Sequence, residues 1–443
     1  MRDLLVAAIV FGLLPMVLKR PQVGIYLWSW ISYMNPHRLA YGFAFGFPWA
    51  YMIFLVTVAG LIFSRESKRI LWTRETILML MYLAWAAVTS YFAFFPDLAW
   101  EDWIKLFKVF LVTYMTVMVI TNRERLHGLI WIIALSLGFY GIKGGIFTIL
   151  HGGVYRVQGP LGSFIGGNNE LALALIMVVP LIRYLHLQEE RKWLKTGLAG
   201  AMLLSTIAAI GSQSRGALVG ILAMGLFLWL KSRQKFMTAI LVVIAVGAVV
   251  AIMPQEWYDR MQSTKNYQED SSALGRINAW HTAFNVASDR LTGGGAEMFR
   301  PSVFRQYAPE PYRVHDAHSV YFEVMGEHGF VGFGVYMAIM ALAWLRGGSI
   351  IRKTKNIPEL KWARDLAAMT QVSIIGFAAS GLFLGMSKFD LYWHLVVVLV
   401  ILSHLVSQHQ IVIEKKTLPA PRFGMAAGAA QVPAVDSRGR SGP

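Results

Sequence analysis

"HSVYFEVMGEHGFVGFGVYMAIMALAWL", residues 318–345, opens polar and closes as an unbroken apolar run punctuated by glycines. An α-helix rises 1.5 Å per residue, so about 20 apolar residues cross the roughly 30 Å hydrocarbon core of a bilayer. The stretch is long enough to span, with its histidine at the boundary where water ends. Comparable runs lie at 47–63, 75–94, 106–121, 128–150, 170–185, 196–213, 216–230, 236–253, 365–386 and 389–408. Two shorter ones, 3–18 and 22–34, are parted by Lys19, Arg20 and Pro21 and cross once or twice between them. The reading is an all-α polytopic membrane protein of about 12 transmembrane helices. Composition agrees: the 443 residues are 56% hydrophobic and only 15% charged, too apolar for a water-soluble globule.

Charge then orients the chain. The formal net charge of +16 does not predict nucleic-acid binding, because the basic residues fall in short clusters between spans: "RESKRILWTR" (65–74), "NRER" (122–125), "RKWLK" (191–195), "KSRQK" (231–235) and "RKTKN" (352–356). Cationic loops stay in the cytoplasm. Segments of opposite parity, 95–105, 151–169, 212–216, 254–317 and 386–390, are expected on the outer face. The expected organisation is an N-terminal transmembrane bundle at 1–253, an outer loop with surface helices at 254–317, C-terminal transmembrane helices at 318–410 and a disordered cytoplasmic tail at 411–443. "MRDLLVAAIVFGLLPMVLKR" lacks a small-residue cleavage site, so the first helix is expected to be retained. With no cysteine, disulfides and thiolate-bound metals are excluded.

The outer segments carry the chemistry-bearing residues. Arg156 begins a glycine-rich run that ends at Asn168 and Asn169, which either cap the next helix or bond a sugar or phosphate. In "IGSQSRGALVG" (210–220), Arg215 interrupts two apolar runs and either snorkels to the interface or binds a ligand. The long loop holds "GRINAWHTAFNVASDRL" (275–291), with Arg276 and Arg290 on a stretch of helical periodicity, followed by the glycine turn "TGGGAEMF" (292–299). Next come His315 and His318, then Tyr321 and the pair Glu323 and Glu327, four residues apart. "MSKFDLYW" (386–393) places Lys388 and Asp390 in a short outer turn, where they are expected to find only each other.

In that order, "GPLGSFIGGNNELALAL", "SQSRGALVG", "GRINAWHTAF…LTGGGAEMF" and "HSVYFEVMGEHGFVGFG" resemble the O-antigen ligase superfamily, which includes O-antigen polymerases and O-glycosylation ligases. The early "SYMNPHRL" is similar to the O-glycosylation ligases. The resemblance implies a GT-C-like glycosyltransferase of the bacterial inner membrane working at its periplasmic face without cofactor, metal or nucleotide sugar. Its donor would be a glycan on undecaprenyl pyrophosphate, its acceptor a sugar hydroxyl of lipid A–core, and membrane lipids would surround it. The family's arginines fall on Arg215 and Arg276 and its helix-opening histidine on His318. Arg156, Asn168, Asn169, Arg290, Tyr321, Lys388 and Asp390 are further candidates for donor or acceptor contact. Gly167 departs from the acidic residue or proline that relatives often carry there, which leaves the roles of Asn168 and Asn169 open.

The residue types suit such a transfer. Arginine binds phosphate through a planar two-pronged fork and keeps its charge. Histidine titrates near neutrality and serves as base for a hydroxyl, or as another phosphate ligand. A polymerase or a protein O-oligosaccharide ligase would use the same groups on a different acceptor. A lipid-linked-glycan transporter would instead be expected to carry charged or broken helices near mid-membrane.

Overall fold

The computed structural model describes residues 1–65, 68–231, 255, 258 and 271–417. The expected span at 236–253, most of 254–270 and the tail beyond 417 lie outside the described residues. Every regular element among the described residues is helical. In chain order they are α1 (Arg2–Lys19), α2 (Pro21–Met34), α3 (Trp49–Phe63), α4 (Arg74–Tyr91), α5 (Pro96–Val119), α6 (Arg123–Leu150), α7 (Asn168–Gln188), α8 (Lys192–Gly211) and α9 (Arg215–Lys231). Then follow α10 (Ser271–Asp289), α11 (Pro301–Tyr307), α12 (Val320–Lys353), α13 (Lys361–Ser380) and α14 (Asp390–Thr417). The described residues up to Val406 form one compact unit, and those from Ser407 to Thr417 fall in a second.

Among the described residues, five helices are long and apolar enough to cross a membrane: α6, α7, α8, α12 and Asp390–Ile411 of α14. α3 and Arg215–Leu230 of α9 are apolar but shorter. The N-terminal pair resolves into two helices hinged at Arg20, and the start of α1 returns to the end of α2, where Arg2 donates to the Leu39 carbonyl at 3.0 Å.

Close helix approach explains several of the glycines. A side chain at Gly141 or Gly145 of α6 would collide with Ser205 or Leu204 of α8, so "GIKGG" lets these helices touch backbone to backbone. The ends of the bundle differ. One end gathers the basic turns and is fastened by the forked pair Arg346–Glu75, with a 2.6 Å Nε–Oε1 bond, and by Arg123 stacked 5.1 Å from the Trp362 ring. The other gathers the turns 35–48, 92–95, 151–167, 212–214 and 381–389, tied by Gln213 to the Gly153 carbonyl, Asn168 to the Ser212 carbonyl and the Val320 amide to the Gly381 carbonyl. His318 lies at this second end.

The long α12 is broken at Gly329, whose φ of 65° and ψ of −176° no helix contains. The break receives the glycine turn at 292–295. The Gly294 amide donates to the Gly326 carbonyl at 2.8 Å and the Gly295 amide to Glu327 at 2.9 Å, while the Phe94 amide donates to Gly294 at 2.8 Å. Gly293 and Gly295 both have positive φ, and a side chain on either would strike the backbone of α12 or Ala93. "TGGG" is therefore a plug that stitches the segment after α10 to α12 and to the α4–α5 turn.

Candidate functional site

His318 is placed by α10. Asn278 reaches across to the carbonyls of Glu310 and Arg313, at 2.8 and 2.9 Å, and accepts the Glu310 amide, fixing the descending strand of chain. Trp280 donates its indole N–H to the Ala317 carbonyl at 2.7 Å and stacks on Phe322, rings 4.9 Å apart. Gly275 leaves room for the His315 ring, which packs edge-on to His318 at 5.2 Å. Between the Ala317 and Val320 anchors, His318 takes a φ of 43°, a left-handed conformation that costs a side-chain-bearing residue about 1–2 kcal/mol. Backbone strain held by surrounding bonds marks positions where geometry serves something other than stability. Burial pushes the half-buried imidazole below its ordinary pKa; Asp316 opposes this, and the Arg276 and His315 charges reinforce it. The ring is neutral at pH 7, with a lone pair free to accept a proton.

Beside it opens a cavity of about 310 Å³ lined by six carboxylates, Asp102, Glu170, Glu297, Asp316, Glu323 and Glu327, with Phe164, Phe299 and Phe389 between them. One amine, Lys388, enters it and donates to Asp102 and, at 3.2 Å, to Glu327. Burial alone would depress the Lys388 pKa, but Glu327, Asp102 and Glu323 hold it well above the usual lysine range. Glu323 accepts from the Ser387 hydroxyl at 3.0 Å through one oxygen, and its other oxygen has no protein partner. The Gly385 side-chain position would lie 2.8 Å from that second oxygen and 3.9 Å from the His318 Cα, so imidazole backbone and carboxylate share the cavity rim.

The other expected residues divide. Arg215 opens α9, where Gly216 packs against the 380–383 turn. The turn also anchors Val320, so Arg215 and His318 flank one short segment. Lys388 and Asp390 do not pair with each other as expected: Lys388 is taken by Asp102 and Glu327, and the buried Asp390 accepts from the Ser32 hydroxyl. Nor does Asn168 cap α7. Gly167 is the cap residue, and the Asn168 amide straps α7 to the 212 turn, 2.9 Å from the Ser212 carbonyl. Asn169 is half-buried on the first turn of α7. Tyr321 donates to the Ala378 carbonyl at 2.7 Å, and Arg290 braces the glycine plug by bonding the carbonyls of Gly293 and Phe92 and stacking 4.3 Å from the Phe94 ring. Arg156 is exposed and lines a different cavity. Sequence reasoning passed over Asp102, Glu297 and Asp316, which sit on three separate segments and read singly as solvated acids.

Residues 200–337, the interval that holds Arg215, Arg276 and His318, match the O-antigen ligase family. Over that interval the chain is similar to the O-antigen ligase family, in line with the ordered motifs of the sequence. Residues 1–190 match a family of unknown function, DUF5935. No curated protein matches the chain. The ligase match and the cavity are not coextensive: Asp102 and Glu170 come from the first interval, Glu297, Asp316, Glu323 and Glu327 from the ligase interval, and Lys388 from beyond both.

Proposed function

We propose that this protein is an O-antigen ligase, transferring a glycan from undecaprenyl pyrophosphate to a sugar hydroxyl of lipid A–core at the periplasmic face of the inner membrane, with inversion and without a metal. The observation that carries the reading is the arrangement around His318: a neutral imidazole held in a strained turn, with a guanidinium on one side and a carboxylate-lined, partly aromatic cavity on the other. Carboxyl groups are poor partners for a pyrophosphate but hydrogen-bond well to sugar hydroxyls, and phenyl rings suit the apolar faces of a sugar. The cavity is the acceptor's side. The donor diphosphate belongs with Arg276 and Arg215.

His318 takes the proton of the acceptor hydroxyl as its oxygen bonds to the anomeric carbon. The bond from that carbon to the diphosphate oxygen breaks with its electron pair, and Arg276 and Arg215 stabilise the charge left on the departing group. Attack from the face opposite the leaving group inverts the centre. The test is reconstitution of the purified protein with the lipid-linked glycan and either lipid A–core, a second lipid-linked unit or an acceptor protein. Transfer to lipid A–core is expected; transfer only to the lipid-linked unit or to protein overturns ligase in favour of polymerase or protein O-oligosaccharide ligase. Net translocation with no new glycosidic bond favours a transporter.

A further inference from the structure

The same end of the bundle carries a second concavity, of opposite sign. A cavity of about 790 Å³ is lined by Arg2, Arg38 and Lys143 together with Tyr41, Phe43 and Phe45. Through Leu39, Lys143 and Pro160 it adjoins one of about 240 Å³ that includes Arg156 and Tyr140. Neither is lined by any Asp or Glu. Four cations from four separate segments converge there, and like charges brought together repel unless an anion joins them.

The nearby protein groups do not supply that anion. Asp3 is committed to the amides of Gly42 and Ala44, at 2.9 and 3.1 Å. The Arg38 guanidinium lies 4.8 Å from the Phe45 ring centre, and its buried Nε has no hydrogen-bond partner. Burial and the Arg38 charge push the neighbouring His37 down to about 4, so it is neutral at pH 7 and adds no charge.

Next to the basic cavity runs a groove lined only by apolar residues. Phe11, Leu14, Pro15 and Leu18 of α1 face Leu55, Val56 and Ala59 of α3 across a groove of about 440 Å³. Trp49 links the two: Phe43 of the basic cavity packs on it at 6.4 Å, and Phe11 of the groove at 5.8 Å. The groove starts nine residues along α1 from Arg2, about 14 Å at helical rise. It therefore lies at the depth of hydrocarbon when Arg2 lies at the level of headgroups. Exposed Leu4, Leu5, Ile62 and Phe63 on the same two helices keep this side of the bundle apolar.

We propose that Arg2, Arg38, Lys143 and Arg156 bind the phosphate of a membrane lipid whose hydrocarbon chain lies in the α1–α3 groove. The site is separate from the His318 cavity, yet one loop serves both: Pro160 and Leu161 line the basic cavity and Phe164 the acidic one. Three residues of extended chain reach at most about 11 Å. A phosphorylated lipid held here is within reach of the carboxylates with its head.

The test uses the purified full-length chain in a nonionic detergent, titrated with dioleoyl phosphatidic acid, with dioleoylglycerol and with inorganic phosphate, binding being read by native mass spectrometry and calorimetry. Saturable one-site binding of phosphatidic acid is expected, with dioleoylglycerol and inorganic phosphate each at least 100-fold weaker. The double variant Arg38→Gln, Lys143→Gln should weaken phosphatidic acid by at least tenfold. Ala59→Phe, which fills the groove, should weaken it with all four cations kept. Thermal unfolding identifies any variant that fails to fold, and the wild-type ligand comparison does not depend on variants. Equal binding of inorganic phosphate and phosphatidic acid would overturn the lipid assignment in favour of a free anion. Equal binding by wild type and a folded double variant would overturn the site. Neither readout requires glycan transfer, so the site stands or falls independently of the ligase reading.

Discussion

Two concavities open at the His318 end of the bundle, one lined by six carboxylates around a single lysine and the other by cations with no carboxylate at all. They lie against one loop, and their charge is reversed. A uniformly basic surface would gather every phosphate in the membrane at every position. Under the proposed function, division of sign would sort a ligand by its parts instead, with anionic groups kept from the cavity beside His318 and hydroxyls welcome in it. The two also differ in how they neutralise themselves. The acidic cavity has an internal counter-charge in Lys388, whereas the basic one has none among its lining residues.

Removing that internal counter-charge is the largest perturbation. Lys388→Met leaves Asp102 and Glu327 buried together without their amine, and breaking a buried ion pair from one side costs about 3–5 kcal/mol. Unfolding in detergent should show the loss, and a second change, Asp102→Asn, should recover part of it. Unchanged stability of Lys388→Met would mean that the acidic cavity does not depend on the lysine.

His318→Gln should leave the fold intact and lower transfer by about 10²-fold or more, the range of lost general-base catalysis. Donor binding should fall less than turnover; loss of both in proportion would make His318 a phosphate ligand. The pH profile sharpens this. Because burial and Arg276 place the imidazole pKa below 6.5, the wild-type rate should rise with pH through an inflection under 6.5 and be flat at neutrality. The residual rate of His318→Gln should lack that inflection, and a wild-type inflection above 6.5 would contradict the described surroundings.

Arg276→Lys and Arg215→Lys preserve charge but lose the fork, so each should cost roughly tenfold or more in transfer. Near wild-type rates at equal expression would make them merely cationic. The smallest effect has the opposite sign to the others. His318→Gly relieves a left-handed backbone and should raise unfolding free energy by up to about 1–2 kcal/mol, its transfer rate falling as in His318→Gln. A loss of stability would show that the imidazole contributes packing that outweighs the strain.

What the sequence discloses and what it conceals follow from distance along the chain. Apolar runs are local, so α6, α7, α8, α12 and α14 are legible as spans, and the basic turns gather at one end as their spacing suggests. Ordered motifs carried the superfamily. The acidic cavity is different, because Lys388 and Asp102 are 286 positions apart and nothing near either one announces the other. Lys388 and Asp390 lie two residues apart and were expected to pair, but successive positions of this turn face opposite neighbours. Asn168 misled for a related reason: its type suits a helix cap, yet the carbonyl of Ser212, 44 residues on, takes its amide. Arg2, Arg38 and Lys143 are single cations beside apolar stretches, and only folding makes them a cluster.

The glycine plug has a consequence for biogenesis. Phe94 and Gly294 are bonded in the finished protein but are made 200 residues apart (294 minus 94). At about 5–20 residues per second of synthesis, the α4–α5 turn waits roughly 10–40 s for its partner. His318 follows the plug on the ribosome, so the loop that holds it can be seated only after the early helices are in place to receive "TGGG". A chain whose first helices are misinserted offers the plug no socket, and its His318 turn stays unassembled. The late-made segment thus acts as a proofreader of the early-made one.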